Sequence, residues 1–329
     1  TTLYTGTGGV QTITGVGFQP DFTWIKDRDV AKWHCLVDTI RGYSKYIYSN
    51  SNVAEATFTD RLTSWNSDGF VLGSGVETNT SSSGLVAWNW KAGTTSGLSG
   101  GDITPSAYSF NTTSGFSVLQ YTGNDTADQT IPHGLGAVPT LIMLRKLSDT
   151  ASWVVYHQAT GNTKRNFLNT TAVPGVDADT WEDTTPTSTI FTVGRNSFVN
   201  TSGATYLAYV FCDVKGYSKM GTYTGNGNAD GAFGYTGFRP AFIIFKRTDG
   251  TGDWLMFDRT RSPSNVTKKT LEANDAAAEG NISDIDMLSN GFKLRYTDTD
   301  TNASGGDYIY IAFAESPFVN AEGVPTNAR

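Results

Sequence analysis

The side chains able to do chemistry are few and scattered. His34, His133 and His157 are the only histidines, and their spacing offers no His-x-x-x-His metal pair. No nucleophile elbow, Cys-x-x-Cys or phosphate-binding glycine loop occurs, so serine-hydrolase, zinc and nucleotide chemistry have no support. Glu272, Asp275, Glu279, Asp284 and Asp286 form an acidic run. Two converging carboxylates can hydrolyse a glycosidic bond, but a solvated surface segment is the expectation for this run. Asp298, Asp300, Asn302 and Asp307 place oxygen ligands at alternate positions of a loop, as calcium loops do. The bidentate Glu and central Gly of an EF-hand are missing, so calcium remains possible beside the default of a polar hairpin loop. Trp65, Trp88, Trp90 and Trp181 complete the set. In Trp88-Asn89-Trp90 alternation puts both indoles on one face, either in a core or as a shelf for stacking sugar rings. No other cofactor is implied, and the expectation is a protein that is not an enzyme.

What must position these residues is an internal repeat. Tyr4-Thr5-Gly6, Tyr121-Thr122-Gly123 and Tyr223-Thr224-Gly225 each precede a Gly-x-x-Pro turn, at Pro20, Pro139 and Pro240. An apolar run ending in a base follows, at Lys26, Arg145 and Lys246. Then comes a tryptophan, Trp33, Trp153 or Trp254, at 13, 14 and 14 residues past the proline. Asn79, Asn200 and Asn302 each head a Ser/Gly-rich turn before a closing strand, read as Leu85 to Trp88, Tyr206 to Tyr209 and Tyr310 to Phe313. Order, spacing and residue class recur together. The chain is therefore read as unit 1 (1–92), a Gly/Ser/Thr linker (93–104), unit 2 (105–215) and unit 3 (216–329). The linker composition suggests a more independent first unit.

The apolar runs are short, rich in β-branched and aromatic residues, and bounded by Gly, Pro, Asn and Asp, which is strand chemistry. The fold class is all-β, three tandem copies of an antiparallel β-sandwich or jelly-roll-like unit. Asp68-Gly69 and Asn290-Gly291 mark hairpins, and the only helix expected is 268–279. Apolar residues make up 38% of the chain, but aromatics reach 12%, enough to fill cores. The net charge of −7 argues against nucleic-acid or anionic-membrane partners. No apolar run is long enough to span a membrane. Beginning at Thr1 with no initiator Met, the sequence reads as a processed product or part of a longer protein. Cys35 and Cys212 lie at non-equivalent places in apolar runs and are expected to be buried free thiols.

Tyr-Thr-Gly-Asn at 121–124 and 223–226, His133-Gly134-Leu135-Gly136, Trp88-Asn89-Trp90-Lys91-Ala92-Gly93, Asn200-Thr201-Ser202-Gly203 and Ile311-Ala312-Phe313-Ala314-Glu315-Ser316-Pro317-Phe318 resemble repeat-containing bacteriophage virion proteins. These are tail-fibre and appendage structural proteins of environmental phages. The resemblance implies a virion location, other virion proteins as partners, and host-surface glycan or protein as a contact. A homo-oligomer is possible. It carries no catalytic residues. A capsid decoration or purely architectural role is the alternative, and a polysaccharide-degrading enzyme a third.

The repeat also predicts that Trp33, Trp153 and Trp254 are buried core residues. Host contact is expected in segments that differ between units, 43–65, 174–186 and 262–286, with Trp65 and Trp181 as anchors. The competing expectation is that these segments pack unit against unit.

Overall fold

A strand covered on both faces needs apolar residues at consecutive positions, and the runs after each Gly-x-x-Pro turn have them. The computed structural model describes residues 1–314, and it is nearly all β. Three main antiparallel sheets dominate. The first orders its strands Thr2–Thr5, Gly84–Trp90, Phe22–Asp27, Cys35–Asp38, Lys45–Tyr48 and Ala56–Thr57. The second runs Ala107–Asn111, Phe116–Thr122, Thr205–Phe211, Leu141–Lys146, Val154–His157, Lys164–Phe167 and Gly175–Val176. The third runs Ser218–Thr224, Asp307–Ala314, Pro240–Arg247, Leu255–Asp258 and Leu271–Glu272. Each is faced by a small sheet of two or three strands from the same segment, giving a sandwich-like pairing.

Alternation sends the two faces of each main sheet to different interiors. In the first, Ile25, Val37, Tyr46 and Leu85 point to the segment's own small sheet. Phe22, Trp24, Leu36, Val86 and Trp88 point the other way, into one core built from all three segments. Phe22 stacks on Tyr209 at 4.1 Å between centroids, Trp88 meets Phe242 at 5.2 Å, and Phe211 meets Phe313 at 5.7 Å. Each pair joins two different segments.

The first segment is therefore no more independent than the others, contrary to the linker argument. The stretch 93–104 is itself pinned: Thr94 bridges Phe110, and Ile103 enters the second segment's core. Composition suggested flexibility, but hydrogen bonds to neighbouring strands hold both ends.

No helix forms over 268–279. Its backbone is drawn outward instead: Lys32 N donates to Ala276 O at 3.0 Å and Glu279 N to Arg28 O at 2.7 Å. Those bonds replace the i→i−4 ladder. The helices among the described residues are Val76–Asn79, Ala178–Trp181 and Thr299–Asn302, one turn each. Both predicted hairpins form, Leu62–Asn66 with Gly69–Leu72 and Ile285–Leu288 with Gly291–Leu294. Cys35 and Cys212 are buried and free. The residues Glu315 to Phe318 of the closing motif, with the rest of 315–329, lie outside the described residues.

Candidate functional site

The repeated motifs turn out to be structural fasteners. The glycines of the three Tyr-Thr-Gly motifs sit where a Cβ would collide with the carbonyl oxygen of Thr80, Thr201 or Ala303. The tyrosine hydroxyls donate to Thr78 O, Val199 O and Thr301 O at 2.6–2.8 Å. Asn79, Asn200 and Asn302 are fully buried, and each Oδ1 accepts a backbone N–H from the turn after the motif, at 2.7, 2.8 and 3.0 Å.

The bases that end the apolar runs fasten one segment to the next. Lys26 Nζ donates to Ala276 O at 3.1 Å, Arg145 Nη2 to Val53 O, and Lys246 Nζ to Thr171 O at 3.1 Å. The first segment thus reaches the third, the second the first, and the third the second. Burial lowers both lysines to about 8 and Arg145 to about 10. Backbone bonds close the same seams: Ala151 N to Asn52 O at 2.9 Å and Gly252 N to Thr171 O at 3.0 Å. Trp153 Nε1 donates to Tyr48 O at 2.8 Å and Trp254 Nε1 to Phe167 O at 3.0 Å, in the same cyclic direction.

Trp33 does not share that role. It is 41% exposed and packs edge-on against Tyr48. The buried residue at the seam is His34, 14 residues past Pro20, as Trp153 and Trp254 are past their prolines. Asn50 Oδ1 accepts from His34 N at 2.9 Å, as Asn169 does from Trp153 and Asn274 from Trp254. His34 Nδ1 accepts Trp24 Nε1 at 2.9 Å. A one-residue slip turns a strand residue to the opposite face, so the indole matched by type is not the one matched by position.

The nominated binding residues are mostly unavailable. Trp88 and Trp90 lie in the shared core, and Trp181 is buried edge-on against Tyr156. Trp88 and Trp90 line a cleft of about 210 Å³ with Phe18, Asn89, Phe242 and Phe313, but little of either indole is exposed there. Trp65 is half-buried, edge-on to Phe70. The calcium set does not converge either. Asp298 caps the turn Thr299–Asn302, accepting from Asp300 N at 3.2 Å. Asn302 is spent on its turn, and Asp307 pairs across the sheet with Thr224. Asp300 faces Lys246, Asp298 and Asp253, and burial foremost raises it to about 6. Among the described residues no three His, Cys, Asp or Glu are grouped to hold a metal. The recurrence of Asn302 as Asn79 and Asn200 was the available sign of a structural role.

The acidic run is not simply solvated. Arg28 grips Glu279 through Nε and Nη2, each at 2.9 Å, and Arg261 Nη1 reaches it at 3.2 Å. Asp286 accepts Arg295 Nε at 2.6 Å. Burial above all raises Glu272 to about 7, with Asp253 and Asp275 adding to the effect.

Open surface remains at the seams. A groove of about 450 Å³ lies between the second and third segments, lined by Ala159, Thr160, Lys164, Pro174, Thr222, Thr224, Thr248, Asp249 and Asp307 among others. A second, of about 360 Å³, lies between the first and second, with Glu55, Gln120, Ser148 and Thr205 in its walls. Of the variable segments expected to bind a ligand, 43–65 and 262–286 bond to neighbouring segments, through Glu55 N to Leu147 O at 2.9 Å and Glu279 N to Arg28 O at 2.7 Å, whereas 174–186 packs within its own, with Trp181 in the second segment's core. They reach these grooves through Ala54, Glu55 and Pro174. Sequence reading missed the grooves because their walls come from strands far apart in the chain. Elsewhere, Phe233 and Tyr235 stand out of a small-sheet edge strand, 46% and 64% exposed.

These features define an all-β protein of sandwich-like sheets whose segments share one interior. Residues 1–317 match the family described as Domain of unknown function (DUF7483), and the chain belongs to it. No curated protein and no solved structure matches it.

Proposed function

We propose that the chain is three copies of one sandwich unit arranged around a common axis. They act together as a rigid, non-enzymatic structural module of a bacteriophage virion, carried on a tail fibre or other appendage and touching the host surface. The observation that carries the scaffold reading is the cyclic set of seam bonds, in which Lys26, Arg145 and Lys246 each reach the neighbouring copy's backbone. Buried cations held by carbonyls across every seam resist reorientation, which suits a part that transmits force or displays loops. The virion setting rests on the sequence resemblance, and partners on the particle are other virion proteins.

Immunogold or cryo-electron microscopy of particles carrying a tagged chain tests the placement. Label on an appendage supports it; label on the capsid shell points to decoration, and absence from the particle overturns it. Release of reducing ends from host polysaccharide by the purified chain would overturn the non-enzymatic part.

A further inference from the structure

We propose that the open groove between the second and third segments binds a neutral saccharide bearing vicinal hydroxyls; this rests on the display reading above and adds its site and ligand class. At about 450 Å³ the groove has the size of small-molecule sites, typically ~300–1,000 Å³. Its floor is the rim of the sheet face that, one turn of alternation earlier, is shared core. Met220 is buried there, whereas Thr222 and Thr224 on the same face emerge beyond the neighbouring copy. Asp307 stands opposite Thr224, and the two side chains share only a long 3.3 Å bond, which a ligand hydroxyl can replace.

The two oxygens of a carboxylate accept a pair of adjacent O–H donors, threonine hydroxyls both donate and accept, and Lys164 donates. Ala159, Pro174 and Ile309 give small apolar surfaces for the C–H face of a ring. The charges balance: in the lining Lys164 stands against Asp307, and Asp249 is neutralised by Arg247 from outside it, bonded at 2.8 Å. That balance favours a neutral ligand over a phosphorylated or sulfated one.

The third seam shows how few changes abolish such a groove. Pairing to the closing strand aligns Leu3 with Gln120 and Thr222, and there Arg28 closes on Glu279 with two bonds. Leu3 takes the place of the Thr222 hydroxyl, and a salt bridge spans the seam.

Saturation-transfer NMR on the full chain, with methyl mannoside, galactose, glucose, N-acetylglucosamine, lactose and maltose, and glucose 6-sulfate as charged control, tests the site. At least one neutral sugar should show transfer. Thr222→Trp, which fills the groove, should reduce that signal at least tenfold, and Asp307→Asn, which keeps the Thr224 contact, about threefold. Near-UV circular dichroism checks that both variants fold. No transfer from any neutral sugar, or full transfer in a folded Thr222→Trp, overturns the site. Appendage label without sugar transfer sinks the groove alone; sugar transfer by a chain absent from the particle supports the groove and sinks the display reading.

Discussion

The strand after each seam residue ends in Asp38 in the first segment, His157 in the second and Asp258 in the third, all fully buried. Asp38 is held by Arg41 at 2.6 Å and by the hydroxyl of Tyr209 at 2.8 Å. Asp258 is held by Arg261 and by Trp88 Nε1 at 3.2 Å. In both places the donor crosses from another segment, and Glu55 or Glu279 completes the arginine's partners. At His157 the arginine is replaced by Thr160. The strand residue matching Trp88 and Tyr209 is Ile311, which has nothing to donate. His157 instead uses Nε2 toward Tyr310 O at 3.3 Å and accepts Ala159 N on Nδ1. Burial lowers it to about 4, so it is neutral. At this position a buried carboxylate stands only where both an arginine and a donor from another segment are present, because a buried ion missing one partner costs several kcal/mol. The two arrangements are alternative complete solutions for one position.

The largest test removes one partner. Asp258→Ala leaves Arg261 buried with Glu279 as its one remaining carboxylate and Trp88 Nε1 without its acceptor, and should cost about 3–5 kcal/mol in urea unfolding; a loss below about 1 kcal/mol would break the comparison. Placing the wrong solution comes next. His157→Asp sets a carboxylate against Ile311 and should cost about 2–4 kcal/mol, with Thr160→Arg recovering part of it. Additivity of the two changes would show that the sets do not act as units.

The pH dependence sharpens the contrast. His157 has a folded pKa below its unfolded value, so its stabilising contribution is complete above about 6.5 and is lost as pH falls toward 4. His157→Gln should reduce the slope of the stability curve in that window, leaving the share of His34 and His133, which burial also lowers. The buried lysines act in the alkaline range. Between about 8 and 10 the unfolded chain binds more protons than the folded one, so Lys26 and Lys246 make stability rise with pH there. Lys246→Arg should lower that slope, and an unchanged slope would place the amine in water. The smallest effect belongs to the slipped tryptophan. Trp33→Ala should cost under about 1 kcal/mol, whereas Trp153→Ala should cost about 3–5 kcal/mol. Equal losses would restore Trp33 to the seam.

Much of the architecture was legible along the chain, since short aromatic and β-branched runs between turn residues specify strands and their recurrence marks three related stretches. The Tyr-Thr-Gly and Asn positions, identical in type at all three places, make the same contacts in each, which their recurrence marked as equivalent without naming the partners. Where residue type and position disagreed, matching by type failed. By type Trp33 matches Trp153 and Trp254, but by position His34 does; by type Ala312 matches Ala87 and Ala208, but the strand pairing sets Tyr310 there. The two-residue slip was invisible because alternation has period two and leaves every face unchanged. Continuous apolar runs announced strands covered on both sides, but could not name the second cover. Only the tertiary structure decided that each main sheet turns its outer face to the other two, which buried Trp88 and Trp90, drew 43–65 and 262–286 into seams, and left polar rims between segments accessible, while Trp181 was taken into the second segment's own core. Local sequence sets which face of a strand is apolar; what lies against that face depends on chain a hundred or more residues away.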